Sequence, residues 1–253
     1  MLKKIFRSAV VPMPKLYRCK KVLFVGPHPD DIEIGCGGTV SELVARGIEV
    51  VFLICADDRY SVLEDDYDME KLKILRASEA VASANTLGVS DVRFLGYADG
   101  GMYPVEDLTR DLALHYADIG ADIIFIPDPH MRDEFHLDHI KVGYAGCAAL
   151  FAGGRLRQVR DMGGHGFSNH IAAALYYTSK PNYYVKISKQ SMEKKLEAIY
   201  CHESQMFGDE KRLITLYTKF RARRFGLRRF CRYAEGYRML ERSFHHVVTE
   251  WCD

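Results

Sequence analysis

The feature that most constrains this chain is a rhythm. Four short apolar runs, "KVLFVG" (21–26), "IEVVFLIC" (48–55), "DVRFLG" (91–96) and "DIIFIP" (122–127), alternate with longer stretches of helical spacing. Their length and their glycine, proline or charged flanks mark them as strands rather than buried helix segments. The helices between them are expected to start within residues 34–40 and run through "VSELVARG", to cover "EKLKILRASEAVASANTLG" (70–88), and to lie near 105–118. Gly47 and Gly88 serve the first two as C-terminal stops. Strands alternating with helices imply right-handed crossovers and a parallel sheet covered on both faces. The expected fold class is α/β: a Rossmann-like, mostly parallel sheet with its active site beyond the carboxyl ends of the strands.

After residue 151 the pattern loosens into a glycine-rich loop (152–172), followed by the strands "AALYYTS" and "YYVKI" and the helix "SMEKKLEAIYCHESQ". With 253 residues and 48% hydrophobic composition, the chain can bury a core without covalent staples, and one domain over 1–253 is expected. No stretch approaches the roughly 18 apolar residues of a membrane span, so a soluble protein is expected. The basic opening, residues 1–21, is interrupted by Pro12, makes a poor secretory signal, and reads as an arm of the mature protein. The seven scattered cysteines form no C-x-x-C pair and fit small buried hydrophobes in a reducing cytoplasm.

The net charge of +1 conceals an uneven distribution. Residues 1–21 carry seven Lys/Arg and no acid, and residues 219–242 carry nine against Glu235 and Glu241, so two ends of +7 flank a body of −13. Such ends either pair with that acidic body or attract an anionic sugar conjugate or peripheral membrane surface. "KFRARRFGLRRFCRY" interleaves aromatics with arginines, but no nucleic-acid motif accompanies it, and no nucleic-acid partner is expected.

Two chemically loaded stretches fall at strand ends: "GPHPDDIEIGCGGT" after the first and "DPHMRDEFHLDH" after the fourth. A phosphate cradle fits the first poorly. Gly35, Gly37 and Gly38 form no G-x-G-x-x-G, carboxylates precede them, and no Gly-Lys-Ser/Thr follows. A metal explains more residues. His28 and Asp31, three apart in a loop entering a helix, can meet one ion, and His136 and His139 offer the third ligand from a neighbouring strand end. Two histidines and a carboxylate with one open position is the catalytic zinc pattern, in which a water of pKa about 7 completes the shell. Asp30, His136 and Asp138 then supply acid, base and orienting groups. The plainer alternatives are helix capping for Asp31 and Glu33 and ordinary solvation for each histidine.

The two motifs resemble those of the LmbE-like, or PIG-L, family of zinc-dependent N-acetyl sugar deacetylases. Pro27-His28-Pro29-Asp30-Asp31 with Gly35-Cys36-Gly37-Gly38-Thr39 is similar to its first signature, and His136-Leu137-Asp138-His139 to its second. Weaker matches at Arg76 and Glu79, Leu87-Gly88, "LGYADG", "KLEAIYCHESQ" and "YAEGY" extend the likeness over roughly residues 22–240. The resemblance implies zinc on His28, Asp31 and His139, with iron or manganese accepted by the same donors. It further implies Asp30 as general base, His136 oriented by Asp138 as oxyanion stabiliser or general acid, and Arg76 and Asp99 near sugar hydroxyls. Arg76 also reads as a structural arginine and Asp99 as a turn residue beside Gly100-Gly101. His202 and Gln205 are expected on the late helix as packing or supporting residues, while His165 and His170 match nothing in the family. The segment "ADDRYSVLEDDYD" departs from the small turn common among relatives and is expected to border the pocket.

The implied activity is hydrolysis of an N-acetylglucosamine-type conjugate to a free amine and acetate. The competing readings are hydrolysis of another amide or ester at the same metal, and a non-catalytic carbohydrate- or nucleotide-binding protein.

Overall fold

The structure, a computed structural model, describes residues 13–62 and 66–246. Its fourteen principal elements run β1 (Lys21–Gly26), α1 (Asp31–Val44), β2 (Glu49–Ala56), α2 (Met69–Leu87), β3 (Asp91–Tyr97), α3 (Val105–Ile119) and β4 (Ile123–Pro127), then α4 (Leu137–Gly153), α5 (Leu156–Asp161), β5 (Ala172–Tyr176), β6 (Tyr183–Ile187), α6 (Lys189–Tyr200), α7 (Gly208–Leu227) and β7 (Tyr233–Glu241). The strands form one seven-stranded sheet in the order β3-β2-β1-β4-β5-β7-β6. The first five are parallel, and β7 enters antiparallel between β5 and β6.

The apolar runs are continuous because both faces of the central strands are covered. Val22 and Phe24 of β1 point into one core with Ile32, Cys36 and Val40 of α1, Ala80 and Ala84 of α2, and Met192 of α6. Leu23 and Val25 point into the other, with Leu108, Leu112 and Tyr116 of α3 and Val142 and Ala145 of α4. Across the β1–β4 register Phe24 faces Phe125, and their rings stack at 4.3 Å, a contact worth about 0.5–1.5 kcal/mol beyond area burial.

Several elements differ from the sequence expectation. Helix α1 starts at Asp31, ahead of residues 34–40, so the glycine run lies inside a helix. Those glycines permit close packing: a Cβ at Gly35 would sit 2.7 Å from the Tyr176 ring, and one at Gly38 would sit 2.9 Å from Ile187. The expected loop at 152–172 is shorter, because α4 continues to Gly153 and α5 forms around the buried Val159. The late helix ends at Tyr200, so His202 and Gln205 lie in the turn beyond it. Helix α7 carries much of the arginine-rich segment, and β7 contains "YAEGY". Most of the basic arm, residues 1–12, lies outside the described residues.

A buried carboxylate locks α1 to the late elements. Glu235 of β7 accepts from the backbone N–H of Gly38 (3.1 Å) and Thr39 (2.7 Å), from the Tyr237 hydroxyl (2.8 Å) and from Lys195 Nζ of α6 (2.5 Å). Burial alone would push this carboxyl up, but the Lys195 ammonium and the hydrogen bonds outweigh it and hold it below the ordinary glutamate range. A depressed carboxylate contributes stability above the unfolded value of about 4.3 and loses it as pH falls through the lower folded value.

Two outcomes follow. Gly35→Ala overpacks against Tyr176 and should cost about 1–3 kcal/mol in urea unfolding. Glu235→Gln should flatten the dependence of unfolding free energy on pH below about 4.3; an unchanged acid slope would remove Glu235 from the linkage.

Candidate metal centre

The chain leaves β1 toward β2 on one side and leaves β4 toward β5 on the other, while β1 and β4 are neighbours. This is the topological switch point of an open parallel sheet, where the two following loops diverge and leave a crevice. Both chemically loaded loops meet there.

Asp31 is the focus. Its Oδ2 lies 3.5 Å from His28 Nδ1 and 3.3 Å from His139 Nε2, and the Tyr177 hydroxyl donates to its Oδ1 at 3.0 Å. All three candidate ligands thus converge on one carboxylate oxygen, with His28 and Asp31 buried. Burial would raise the Asp31 carboxyl, but the two imidazoles hold it well below its ordinary value. Burial likewise opposes protonation of His139, yet the Asp31 charge pushes that imidazole up to about 8. The carboxylate charge gathered here favours a cation, and a divalent ion would take the place of the protons on the two imidazoles.

The far nitrogens of both histidines face carboxylates. His28 Nε2 is 3.2 Å from Asp99 Oδ1 and 3.5 Å from Asp138 Oδ2. His139 Nδ1 is 3.2 Å from Glu134 Oε2 but not aligned for a hydrogen bond. Carboxylates in these places orient a ligating imidazole and raise its basicity. His136 is half exposed, with Nδ1 3.6 Å from Asp138 Oδ2, while Asp138 itself is fully buried and accepts from Tyr103 Oη (2.5 Å) and Gly100 N (2.8 Å). Two overlapping groups also have donors within 4.8 Å of one another: His28, His136 and His139, and His28, Asp99, His136 and Asp138.

Asp30 has left-handed backbone geometry, φ 116°, immediately before α1. Burial pushes its carboxyl up to about 7, with the Arg76 guanidinium opposing. Arg76 is 1% exposed, and its guanidinium is spent on protein partners. Nε donates to Asp58 (2.5 Å), Nη1 to Glu79 (2.9 Å), and Nη2 to Pro29 O (2.5 Å) and Asp30 Oδ2 (3.2 Å), while His202 Nδ1 lies 3.3 Å from Nη1. These five directions use all the N–H groups an arginine has. Without a ligand, then, the Arg76 guanidinium is engaged by protein groups on every side, Asp30 among them. Asp99 similarly turns inward to His28 and accepts from Tyr60 N at 3.2 Å.

The remaining candidates form the surroundings. Glu33 accepts from Ser83 Oγ at 2.6 Å, joining α1 to α2, and Gln205 Nε2 donates to Ser61 Oγ at 3.2 Å. The Tyr60 ring packs 3.7 Å from the Cβ position of Gly100, which places the opening part of the unusual segment beside the crevice, while residues 63–65 of that segment lie outside the described residues. His165 is exposed and His170 buried, and both lie in the segment that leads into the amino end of β5, opposite the crevice. Sequence reasoning missed Glu134, Tyr103 and Tyr177. Glu134, an acid five residues before His139, was visible in the loaded stretch, whereas neither tyrosine belongs to a motif.

The fold and this cluster define an α/β protein with a His/Asp metal-type centre at the switch point of its sheet. The sequence profile of the PIG-L family, GlcNAc-PI de-N-acetylase, matches residues 23–150. A diacetylchitobiose deacetylase of Thermococcus kodakarensis is 34% identical over 233 residues, covering 90% of this chain and 86% of the relative. The structure of N,N'-diacetylchitobiose deacetylase from Pyrococcus horikoshii, complexed with its inhibitor MPG, superposes with a TM-score of 0.89 at 30% identity, covering 98% of this chain and 96% of that one. A 1D-myo-inositol 2-acetamido-2-deoxy-alpha-D-glucopyranoside deacetylase of Acidothermus cellulolyticus is 30% identical over a shorter span, 43% of this chain and 41% of the relative. The chain belongs to the PIG-L family.

Removing Arg76 leaves Asp30, Asp58 and Glu79 without their shared counter-charge. Arg76→Gln should therefore lower unfolding free energy by about 3–5 kcal/mol, the scale for breaking a buried ion pair. Denaturant titration checks this, whereas a fully stable variant that only raises KM would support a substrate-binding role for Arg76.

Proposed function

We propose that this chain is an N-deacetylase that hydrolyses the acetamido group of an N-acetylglucosamine-type conjugate to a free amine and acetate. The observation that carries the reading is the convergence of His28 Nδ1 and His139 Nε2 on Asp31 Oδ2, in a chain 34% identical to a diacetylchitobiose deacetylase. His28, Asp31 and His139 would hold the ion, and zinc, or iron(II) or manganese(II) on the same donors, supplies Lewis acidity toward the amide carbonyl and lowers the pKa of water.

The protein's own groups divide the proton chemistry. Asp30 takes the proton of the attacking water, and Arg76 restrains its carboxylate from within the fold. His136, oriented through Nδ1 by Asp138, is exposed enough to meet substrate and gives a proton to the departing nitrogen. Asp99 and Glu134 steer His28 and His139. Tyr60 borders the entrance, where the sugar is received. Described cysteines at 19, 36, 55, 147, 201 and 231 are all free, which supports a reducing, cytoplasmic setting. Among the described residues no helix is long and apolar enough to cross a membrane. The conjugate is read as neutral or anionic, and the two cores on one sheet support a single catalytic domain.

Amine release from free, nucleotide-linked, thiol-linked and lipid-linked N-acetylglucosamine, measured with and without chelator, tests the activity. His139→Ala should lose metal and turnover together. Asp30→Asn should keep stoichiometric metal while kcat falls at least about 10²-fold, the lower range for loss of a general base. Near-normal turnover in Asp30→Asn would sink its assignment, and amine release that survives complete metal removal would sink the mechanism.

A further inference from the structure

A second polar cavity, of about 330 Å³, lies at the opposite end of the strands from the metal centre. It forms where α4 ends, β5 begins and β7 runs out, and its lining includes Phe151, Arg155, His170, Arg242, His245 and His246. No carboxylate among the described residues lines it. The two arginines are anchored at its edge. Arg155 Nη1 donates to Phe151 O (2.7 Å) with its guanidinium over the Phe151 ring, and Arg242 reaches Asn169 Oδ1 (3.3 Å) and Gly154 O (3.4 Å).

His170 provides an independent sign of a missing partner. It is 1% exposed, its Nδ1 lies 3.0 Å from the Ser168 hydroxyl, and its Nε2 is buried without a hydrogen bond. His170 lines the cavity, and when its Nδ1 accepts from Ser168, its buried Nε2 carries the proton and is an orphaned donor. A buried unsatisfied donor costs about 1–3 kcal/mol, a cost that an acceptor would relieve. The facing groups are cationic or basic: the His245 ring stacks on His170 at 5.4 Å, with its Nε2 3.2 Å from Leu240 O, and Arg242 closes the other side. Burial first, then His245 and Arg242, hold the His170 imidazole down to about 3, so it is neutral near pH 7; Glu241, whose carboxylate influences His245, instead accepts from Ser243 N. Fixed arginine forks around a neutral N–H donor suit an acceptor-only ligand with several oxygens.

We propose that this cavity is a binding site for a small oxyanion of the phosphate class, separate from the metal centre. The anion sits between Arg155 and Arg242 and accepts from His170 Nε2. Either inorganic phosphate or the phosphate group of a small phosphorylated sugar presents this chemistry.

Calorimetric titration of the holoenzyme with inorganic phosphate and with a hexose phosphate, at constant ionic strength, tests the site. The expected result is saturable binding that weakens at least about 10-fold in R155Q/R242Q, whose deacetylase activity without added anion stays unchanged; tighter binding of the hexose phosphate would identify the ligand as a phosphorylated sugar. In the wild type the His170 Nε2–H resonance should shift on addition of the anion. The proposal is overturned if neither probe binds saturably, if the double variant binds as tightly as the wild type, which would put the anion elsewhere, or if the His170 resonance does not move.

Discussion

Everything at the candidate centre depends on the pairing of β1 with β4. These strands are separated by two complete strand–helix units in sequence, yet the register sets Phe24 beside Phe125 and brings the loops after Gly26 and Pro127 to one crevice. Because right-handed crossovers carry the chain away from this seam in opposite directions, neither following helix covers it. His28 and Asp31 arrive from one side and His139 from the other. Each half comes from one short segment, but the whole cluster could not be built from either alone.

The crevice concentrates negative charge, and the fold answers with buried counter-charges rather than solvent. Asp30, Asp58 and Glu79 share the Arg76 guanidinium, and Asp31 is balanced by His28 and His139. Burying ions costs several kcal/mol each and stabilises a fold only when geometry and hydrogen bonding are well matched. Here the arrangement fixes acidic side chains before any ligand arrives, which is the form of preorganisation that lowers barriers in a water-poor site. Glu235 and Lys195 repeat the device beneath α1, where the pair ties the first helix of the chain to its late elements.

Much of this was legible in the sequence. The first four strands and the helices between them follow from apolar runs and helical spacing, since core contacts on both strand faces leave a signal that needs no tertiary information. His28, Asp31, His136 and His139 stood out because two short motifs fell at strand ends. The rest depended on contacts distant in sequence. Arg76 reads from sequence as either a sugar contact or a structural arginine, and nothing local in the sequence announces that Pro29, Asp58, Glu79 and His202 all meet its guanidinium. The glycines of α1 suggested a loop because their reason, the Tyr176 and Ile187 side chains, lies well over a hundred residues away. The outward side of α7 leaves Leu213, Phe220 and Leu227 exposed, so its apolar spacing does not correspond to the core-facing side.

The backbone at Asp30 carries a further consequence. A non-glycine residue at φ 116° pays on the order of 1–3 kcal/mol for a conformation that glycine adopts freely. On the proposed chemistry, the side chain that imposes this strain is also the one that handles the reacting proton. Selection for thermal endurance and selection for turnover therefore pull in opposite directions at a single codon. In a duplicated gene copy released from catalysis, that codon is where drift toward glycine would yield a sturdier and silent descendant.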